Sequence, residues 1–359
     1  MEKKMDIKDL LAISVEQHAS DLHLIPGLPP QLRIAGTLFP IKNYSILTSE
    51  DTKNLIYSFI TEEQKHIFEK NLVGEMALSF PHIGNFRVSL FHQLHGRAAV
   101  FRIIPEIAPT FEELFLPQAF KPLLGLSHGL ILVTGATGSG KSTTLAAMID
   151  YINSFRSCNI ITIEDPIEFV HQSKKSILNQ LQVGRDTTDF ATALRSSLRQ
   201  DPDVILLGEL RDLETMRLAL IAAETGHLVL ATLHSTSAPL AINRFADVFP
   251  SEEKNRVRNL LSETLQAVIC QTLVKKISGG RLAAFEIMLC TPAIRHFIRQ
   301  DMAAHMESTI QTNTAKGMCT LEYYLQTLVK KRLINSKVAE HVIQARNIYK
   351  DAITPVNKE

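Results

Sequence analysis

Eight residues, Gly135-Ala136-Thr137-Gly138-Ser139-Gly140-Lys141-Ser142, constrain this chain more than any other stretch. They match the pattern G-x-x-x-x-G-K-[ST] at every fixed position. An apolar run, Leu130-Ile131-Leu132-Val133, precedes them, and a helix-compatible stretch from Lys141 to Ile152 follows. A strand that turns through glycines into a helix points backbone N–H groups inward, and the helix N-terminus adds partial positive charge. Such a loop wraps phosphates. Gly135 through Thr143 are therefore the candidate nucleotide-binding residues, with Lys141 expected to reach the β and γ phosphates and Ser142 to ligate Mg²⁺. The expected chemistry is binding and hydrolysis of ATP with Mg²⁺. The loop alone leaves the task open, because many unrelated machines share it.

The chain around the loop repeats an apolar strand, a turn and a helix. Asn159 to Ile163, Val204 to Leu207 and Leu228 to Ala231 are short apolar runs without alternation. Strands apolar on both faces predict a parallel sheet covered by helices on both sides, an α/β unit. Two of these strands end in carboxylates: Ile163 is followed by Glu164-Asp165-Pro166, and Leu207 by Gly208-Glu209. Strand ends of a parallel sheet lie where ligands bind. One glutamate is expected to hold Mg²⁺ and the other to orient the attacking water, and the residues do not say which does which. The alternative for either is a helix cap or an ion pair, and Asp165 before a proline reads equally well as a turn residue.

His227 and His234 bracket the strand from Leu228 to Leu233. A histidine at a strand's exit can contact a γ-phosphate; the plainer reading is a surface loop residue. Arg87 and Arg102 fall in two β-rich runs, Phe86 to Phe91 and Arg97 to Ile104. Arg102 shares its face with Ala98, Val100 and Ile104, and a charge on an apolar face needs an anionic partner. That partner is either a nucleotide of another subunit or an acidic residue of the same domain.

Charge is balanced, with 38 Lys+Arg against 37 Asp+Glu. A nucleic-acid binder usually carries a basic excess, so none is expected as a partner. Cys158, Cys270, Cys290 and Cys319 are scattered with no C-x-x-C pair, so neither zinc nor a disulfide framework is expected. Charges at Lys8 and Glu16 interrupt the N-terminal region, and no long uncharged apolar stretch occurs. A cytoplasmic protein with at most peripheral membrane association is the expectation.

The first hundred residues read as mixed α and β: a helix from Ile7 to Ala19, a hairpin from Leu32 to Leu38 around Gly36, and a second hairpin before Ile104. Pro105, Pro109 and Pro117 suggest a linker. The expected division is 1–104, a linker at 105–125, an ATPase core at 126–290 and a helical region at 291–359. Past Ser251, apolar residues from Val257 to Leu273 recur at helical spacing, which predicts a helix ended by Ser278-Gly279-Gly280.

Four ordered segments resemble one family. Ala19 to Leu24 with Gly27-Leu28-Pro29-Pro30 is similar to its N-terminal signature, and Gly135 to Thr144 to its Walker A loop. Thr162 to Phe169 resembles its Asp box, Arg199 to Asp212 its Walker B segment, and Ala223 to His234 its His box. The chain resembles the secretion-type ATPases of type IV pilus and type II secretion systems. The resemblance implies a PAS-like α+β N-terminal domain followed by a RecA-like P-loop ATPase domain with a helical C-terminal region. It implies a homo-hexamer driven by ATP and Mg²⁺, acting at the cytoplasmic face of the inner membrane on a pilus platform protein and, through it, on pilin. By resemblance, Glu164 is the general base, Glu209 with Ser142 the Mg²⁺-side group, His227 and His234 the His-box pair, and Arg87 and Arg102 the N-domain arginines that engage phosphate.

Within the family, the absence of a four-cysteine motif favours the retraction branch, as does Ala293-Ile294-Arg295-His296-Phe297-Ile298-Arg299, which resembles a segment of retraction ATPases. His296 and Phe297 depart from that segment, and Ala136 replaces the proline common in the loop. An accessory retraction ATPase or a secretion ATPase of the same family is the alternative.

Overall fold

The structure, a computed structural model, describes residues 5–34, 36–104 and 108–353, with side chains to Arg346. It divides into two compact units, 1–107 and 108–359. Ala35 of the expected hairpin and residues 105–107 of the expected linker lie outside the described residues.

The first unit is α+β. Helix α1 (Ile7–Glu16) is capped by Asp6, whose side chain accepts from Lys8 N. Three short strands follow, β1 (Asp21–Leu24), β2 (Gln31–Ile34) and β3 (Thr37–Pro40). Helices α2 (Ser49–Tyr57) and α3 (Glu62–Asn71) each open with a capping box, built by Thr48 with Asp51 and by Thr61 with Gln64. Long strands β4 (Val73–Phe80), β5 (Gly84–Gln93) and β6 (Gly96–Ile104) complete an antiparallel sheet of order β3-β2-β1-β6-β5-β4. Alternation decides its faces: Phe86, Val88 and Leu90 of β5 join the core with Leu22, Ala99 and Phe101.

The second unit is α/β. It begins with α4 (Phe120–Leu124) and β7 (Gly129–Thr134). Next come α5 (Lys141–Phe155), β8 (Asn159–Glu164), β9 (Ile177–Gln182), α6 (Phe190–Ser197), β10 (Val204–Leu207) and α7 (Leu213–Glu224). The chain continues through β11 (Leu228–Leu233), α8 (Ala238–Asp247), α9 (Lys254–Thr264), β12 (Leu265–Lys275) and β13 (Arg281–Leu289). It closes with α10 (Pro292–Arg299), α11 (Ala303–Thr312), α12 (Leu321–Lys330) and α13 (Ser336–Ile353). The sheet order is β13-β12-β7-β11-β10-β8-β9, parallel except for the β12–β13 pair. On β7, Leu130 and Leu132 enter one hydrophobic cluster, Ile131 and Val133 the other. That is why the strand carries no polar alternation: both of its faces are covered.

Two expectations are corrected. The segment read as a helix through Leu273 is α9 only as far as Thr264; Leu265 starts β12 without a turn. Apolar residues on both faces of a buried strand also recur at helical spacing, so periodicity could not separate the two. Val268 faces one cluster and Ile269 the other, while Gly279 and Gly280 form the turn between β12 and β13, with φ of 87° and 73°. The expected linker at 105–125 is also largely structured: Phe111, Leu116, Phe120 and Leu124 are buried in the second unit's core.

Candidate nucleotide site

The phosphate loop joins β7 to α5, and its backbone needs glycine in a specific place. Gly135 has φ of 148°, and a Cβ there would sit 2.4 Å from Gln271 O and 2.5 Å from Ser139 Oγ. The α5 N-terminus has no side-chain cap, so its first amides stay available for an anion. Gln271 of β12 ties the loop down from outside: its Nε2 donates to Ser139 O and its Oε1 accepts from Thr144 Oγ1, both at 2.7 Å. Lys141 Nζ donates to Gly135 O and Ala136 O, each at 3.1 Å. Burial lowers the Lys141 pKa, and the charges of Glu209 and Glu168 oppose that shift.

A cavity of about 500 Å³ opens beside the loop. Thr137, Gly138, Gly140, Lys141, Ser142 and Thr143 line one side of it. Gly135, Ala136 and Ser139 shape the turn from behind. The carboxyl ends of the neighbouring strands supply the other side. In register, Ile163 of β8 lies beside Leu207 of β10, so Glu164 and Glu209 emerge at one edge, with His234 after β11. Gly208 makes this convergence possible. Its N–H donates to Ile163 O at 2.8 Å, and a Cβ would approach Glu164 Cα to 3.3 Å.

The two glutamates sit in different surroundings. Glu164 accepts from Thr162 Oγ1 at 2.7 Å and from Gln180 Nε2 at 3.3 Å. Burial pushes its carboxyl above the usual range, against the pull of those two bonds. Glu209 meets His234 Nε2 at 3.0 Å and Arg211 Nη2 at 2.9 Å. Burial works to raise its pKa, but Arg211 and His234 together outweigh burial and hold it below the usual range. Two carboxyl groups whose surroundings push their pKa values in opposite directions can take different roles in one site. His234 completes a chain across the site, with Nδ1 3.5 Å from Lys141 Nζ. Ser142 and Glu209 both present oxygens to the cavity, the donor type that Mg²⁺ takes together with substrate phosphates.

Other expected residues lie elsewhere. His227 precedes β11, at the opposite edge of the sheet from His234, roughly 20 Å along the strand. Its Nδ1 contacts Ala222 O at 2.9 Å, which closes the end of α7. Arg87 and Arg102 face each other across β5 and β6. Each has a local partner: Arg87 with Glu75 at 3.2 Å and Arg102 with Asp21 at 3.0 Å. Arg102 lies on the face opposite Phe101 and Ala99, as read from the alternation, and its anionic partner in this protomer is the acidic residue of the same domain, Asp21. Three contributors went without a role in the sequence reading. Arg211 stood in the motif itself, Arg281 enters the cavity lining from β13, and Gln271 had no motif to mark it.

Among the described residues, no helix is long and apolar enough to cross a membrane. The α10 segment has an architectural role: Arg295 Nη1 donates to Ser262 O and Glu263 O at the end of α9, and Arg299 Nη1 to Ser262 Oγ. His296 and Phe297 stack edge-on, with ring centroids 5.8 Å apart.

The chain is similar to known proteins along nearly its whole length. The family model for type II/IV secretion system proteins matches residues 3–354. The type IV pilus retractation ATPase PilT of Pseudomonas aeruginosa is 55% identical over 93% of this chain and 97% of its own. A twitching motility protein of Neisseria gonorrhoeae is 46% identical over 94% of this chain and 90% of its own. Among solved structures, the pilus retraction motor PilT with bound ADP superposes with a TM-score of 0.88 at 45% identity, covering 94% of this chain and 96% of that one. With its phosphate loop, paired glutamates and exit histidine on one sheet edge, this chain belongs to the type II/IV secretion system protein family.

Proposed function

We propose that this chain is an ATP-hydrolysing motor that drives type IV pilus retraction. The carrying observation is the convergence of Glu164 and Glu209, at the ends of paired strands around Gly208, on the cavity lined by the phosphate loop and Lys141. The similarity to PilT over nearly the whole chain supports the retraction assignment.

In this reading the amides of Gly138 to Thr143 and the Lys141 ammonium bind the β and γ phosphates. Ser142 and Glu209 hold Mg²⁺, which when bound neutralises charge on the phosphates. Glu164 takes the proton of the attacking water, and the upward shift that burial gives its carboxyl makes it a stronger base than an exposed glutamate. His234, between Glu209 and Lys141, reports the loss of the γ-phosphate. Arg211 keeps Glu209 turned toward the site. Arg87 and Arg102 exchange Glu75 and Asp21, respectively, for phosphate in an assembled homo-hexamer. His227 supports the end of α7 in this protomer, and its place in an assembly is part of the proposal. The motor works from the cytoplasmic face of the inner membrane on a platform protein and so returns pilin to the membrane.

Phosphate release by the purified chain tests the enzymatic half. Turnover should need Mg²⁺, rise with protein concentration as subunits assemble, and vanish in Lys141→Ala. Concentration-independent turnover by a monomer contradicts the hexamer, and turnover that survives Lys141→Ala contradicts the site.

A further inference from the structure

Outside the cavity, the second unit buries an ion pair between Glu286 of β13 and Arg346 of α13, whose side chains are 4% and 6% exposed. A buried pair seldom adds stability over apolar residues of the same volume, so its presence asks for another reason. The second carboxylate oxygen supplies one. Glu286 Oε1 accepts the N–H of Ala238 at 2.8 Å. Ala238 is the first residue of α8, and a helix's first amides have no partner within the helix. Only Ser235, Thr236 and Ser237 separate it from His234. Ser235 O is itself contacted by Cys270 Sγ at 3.5 Å, and Cys270 is the cross-strand partner of Glu286. The turn after β11 therefore rests on two adjacent positions of β12 and β13. Gln271, next to Cys270, holds the phosphate loop in the same manner.

We propose that Glu286 and Arg346 are positioning residues for ATP hydrolysis: by holding the first amide of α8 they fix the His234 turn, so that docking of α13 sets His234 against Glu209 and Lys141. The pair touches no substrate. It ties the C-terminal helix to the phosphate-sensing edge of the site through one backbone amide, and it rests on the role given above to His234. Loss of the acceptor frees the turn and costs turnover rather than ATP affinity, because the loop amides that bind phosphate are held separately by Gln271.

The test compares kcat, KM for ATP and melting temperature in the full chain carrying Glu286→Leu with Arg346→Met, and Glu286→Gln with Arg346→Met. Both variants should fold, since each replaces a buried pair by neutral groups. The leucine pair should lower kcat at least about tenfold with KM within about threefold, because a small misplacement of a positioned group is costly. The glutamine pair keeps an oxygen acceptor for Ala238 N and should return kcat to within about threefold of the parent. An unchanged kcat in the leucine pair, or an equal loss in both pairs, overturns the proposal. If the leucine pair does not fold, Glu286→Met with Arg346→Met replaces it, with the same expected and contrary results. His234→Ala in parallel separates the layers. Parent-like turnover there removes the role of His234, whereas slow His234→Ala beside a fast leucine pair removes only the present inference.

Discussion

Gln271→Leu isolates what holds the phosphate loop in shape. The Gln271 side chain is 2% exposed and spans from β12 to the loop. It forms two bonds of 2.7 Å, one to Ser139 O and one from Thr144 Oγ1. Leucine keeps the bulk and removes both, leaving a buried carbonyl and a buried hydroxyl without partners. Each such loss costs about 1–3 kcal/mol, so the unit should lose roughly 2–6 kcal/mol. For a domain of this size that is a fall of roughly 4–24 °C in melting temperature. KM for ATP should rise, because the amides of Gly140 and Lys141 lose their brace, while kcat at saturation falls less. Melting curves and steady-state hydrolysis read both. A melting temperature within about 2 °C of the parent, with unchanged KM, would show that the loop is fixed by its own turns and that the Gln271 argument is wrong.

Glu164→Gln should cut turnover by about 10²–10⁴-fold, the usual contribution of a general base, and leave ATP binding in place. Its stability effect has a defined sign. The folded pKa of Glu164 lies above its ordinary 4.5, so native stability is lost as pH rises through that raised value. The glutamine variant escapes the loss: it should melt no lower than the parent at neutral pH, with the difference gone in acid, and a clearly lower neutral melting point refutes the buried-carboxyl argument. In the parent, kcat should fall as pH drops through the same raised pKa; a flat acid limb down to about pH 4.5 removes Glu164 as base. Gly208→Ala pushes a Cβ against Glu164 Cα and Ile163 O, both at 3.3 Å, and should lower kcat about tenfold in a folded protein. Parent-like turnover there would mean that the spacing of the two strand ends does not set the site.

The parts of this chain legible in its sequence are those whose physics is local. Gly135 to Ser142 dictates its own turn, and Glu164 and Glu209 follow strands whose two-sided apolarity marks a covered parallel sheet. The hairpins at Gly36 and before Ile104 follow from turn residues and alternation. What stayed hidden depends on contacts between distant residues. Nothing near Gln271 says that it meets Ser139, 132 positions away, or that Glu286 meets Arg346, 60 away. Strand β12 hid for a different reason, since its apolar residues fit helix and buried-strand spacing equally well. Alternation along β6 placed Arg102 on its face, but only the fold shows that Asp21, 81 positions away, is its partner.

The central claim, ATP-driven pilus retraction, is tested most directly by counting surface pili and measuring twitching in the encoding strain after chromosomal Lys141→Ala. Removing the ammonium should empty the motor of ATP-driven work while leaving the fold. Excess surface pili with lost twitching is the predicted result. Bare cells would assign the motor to pilus assembly, and an unchanged pilus count with normal twitching would detach it from retraction; either contradicts the account.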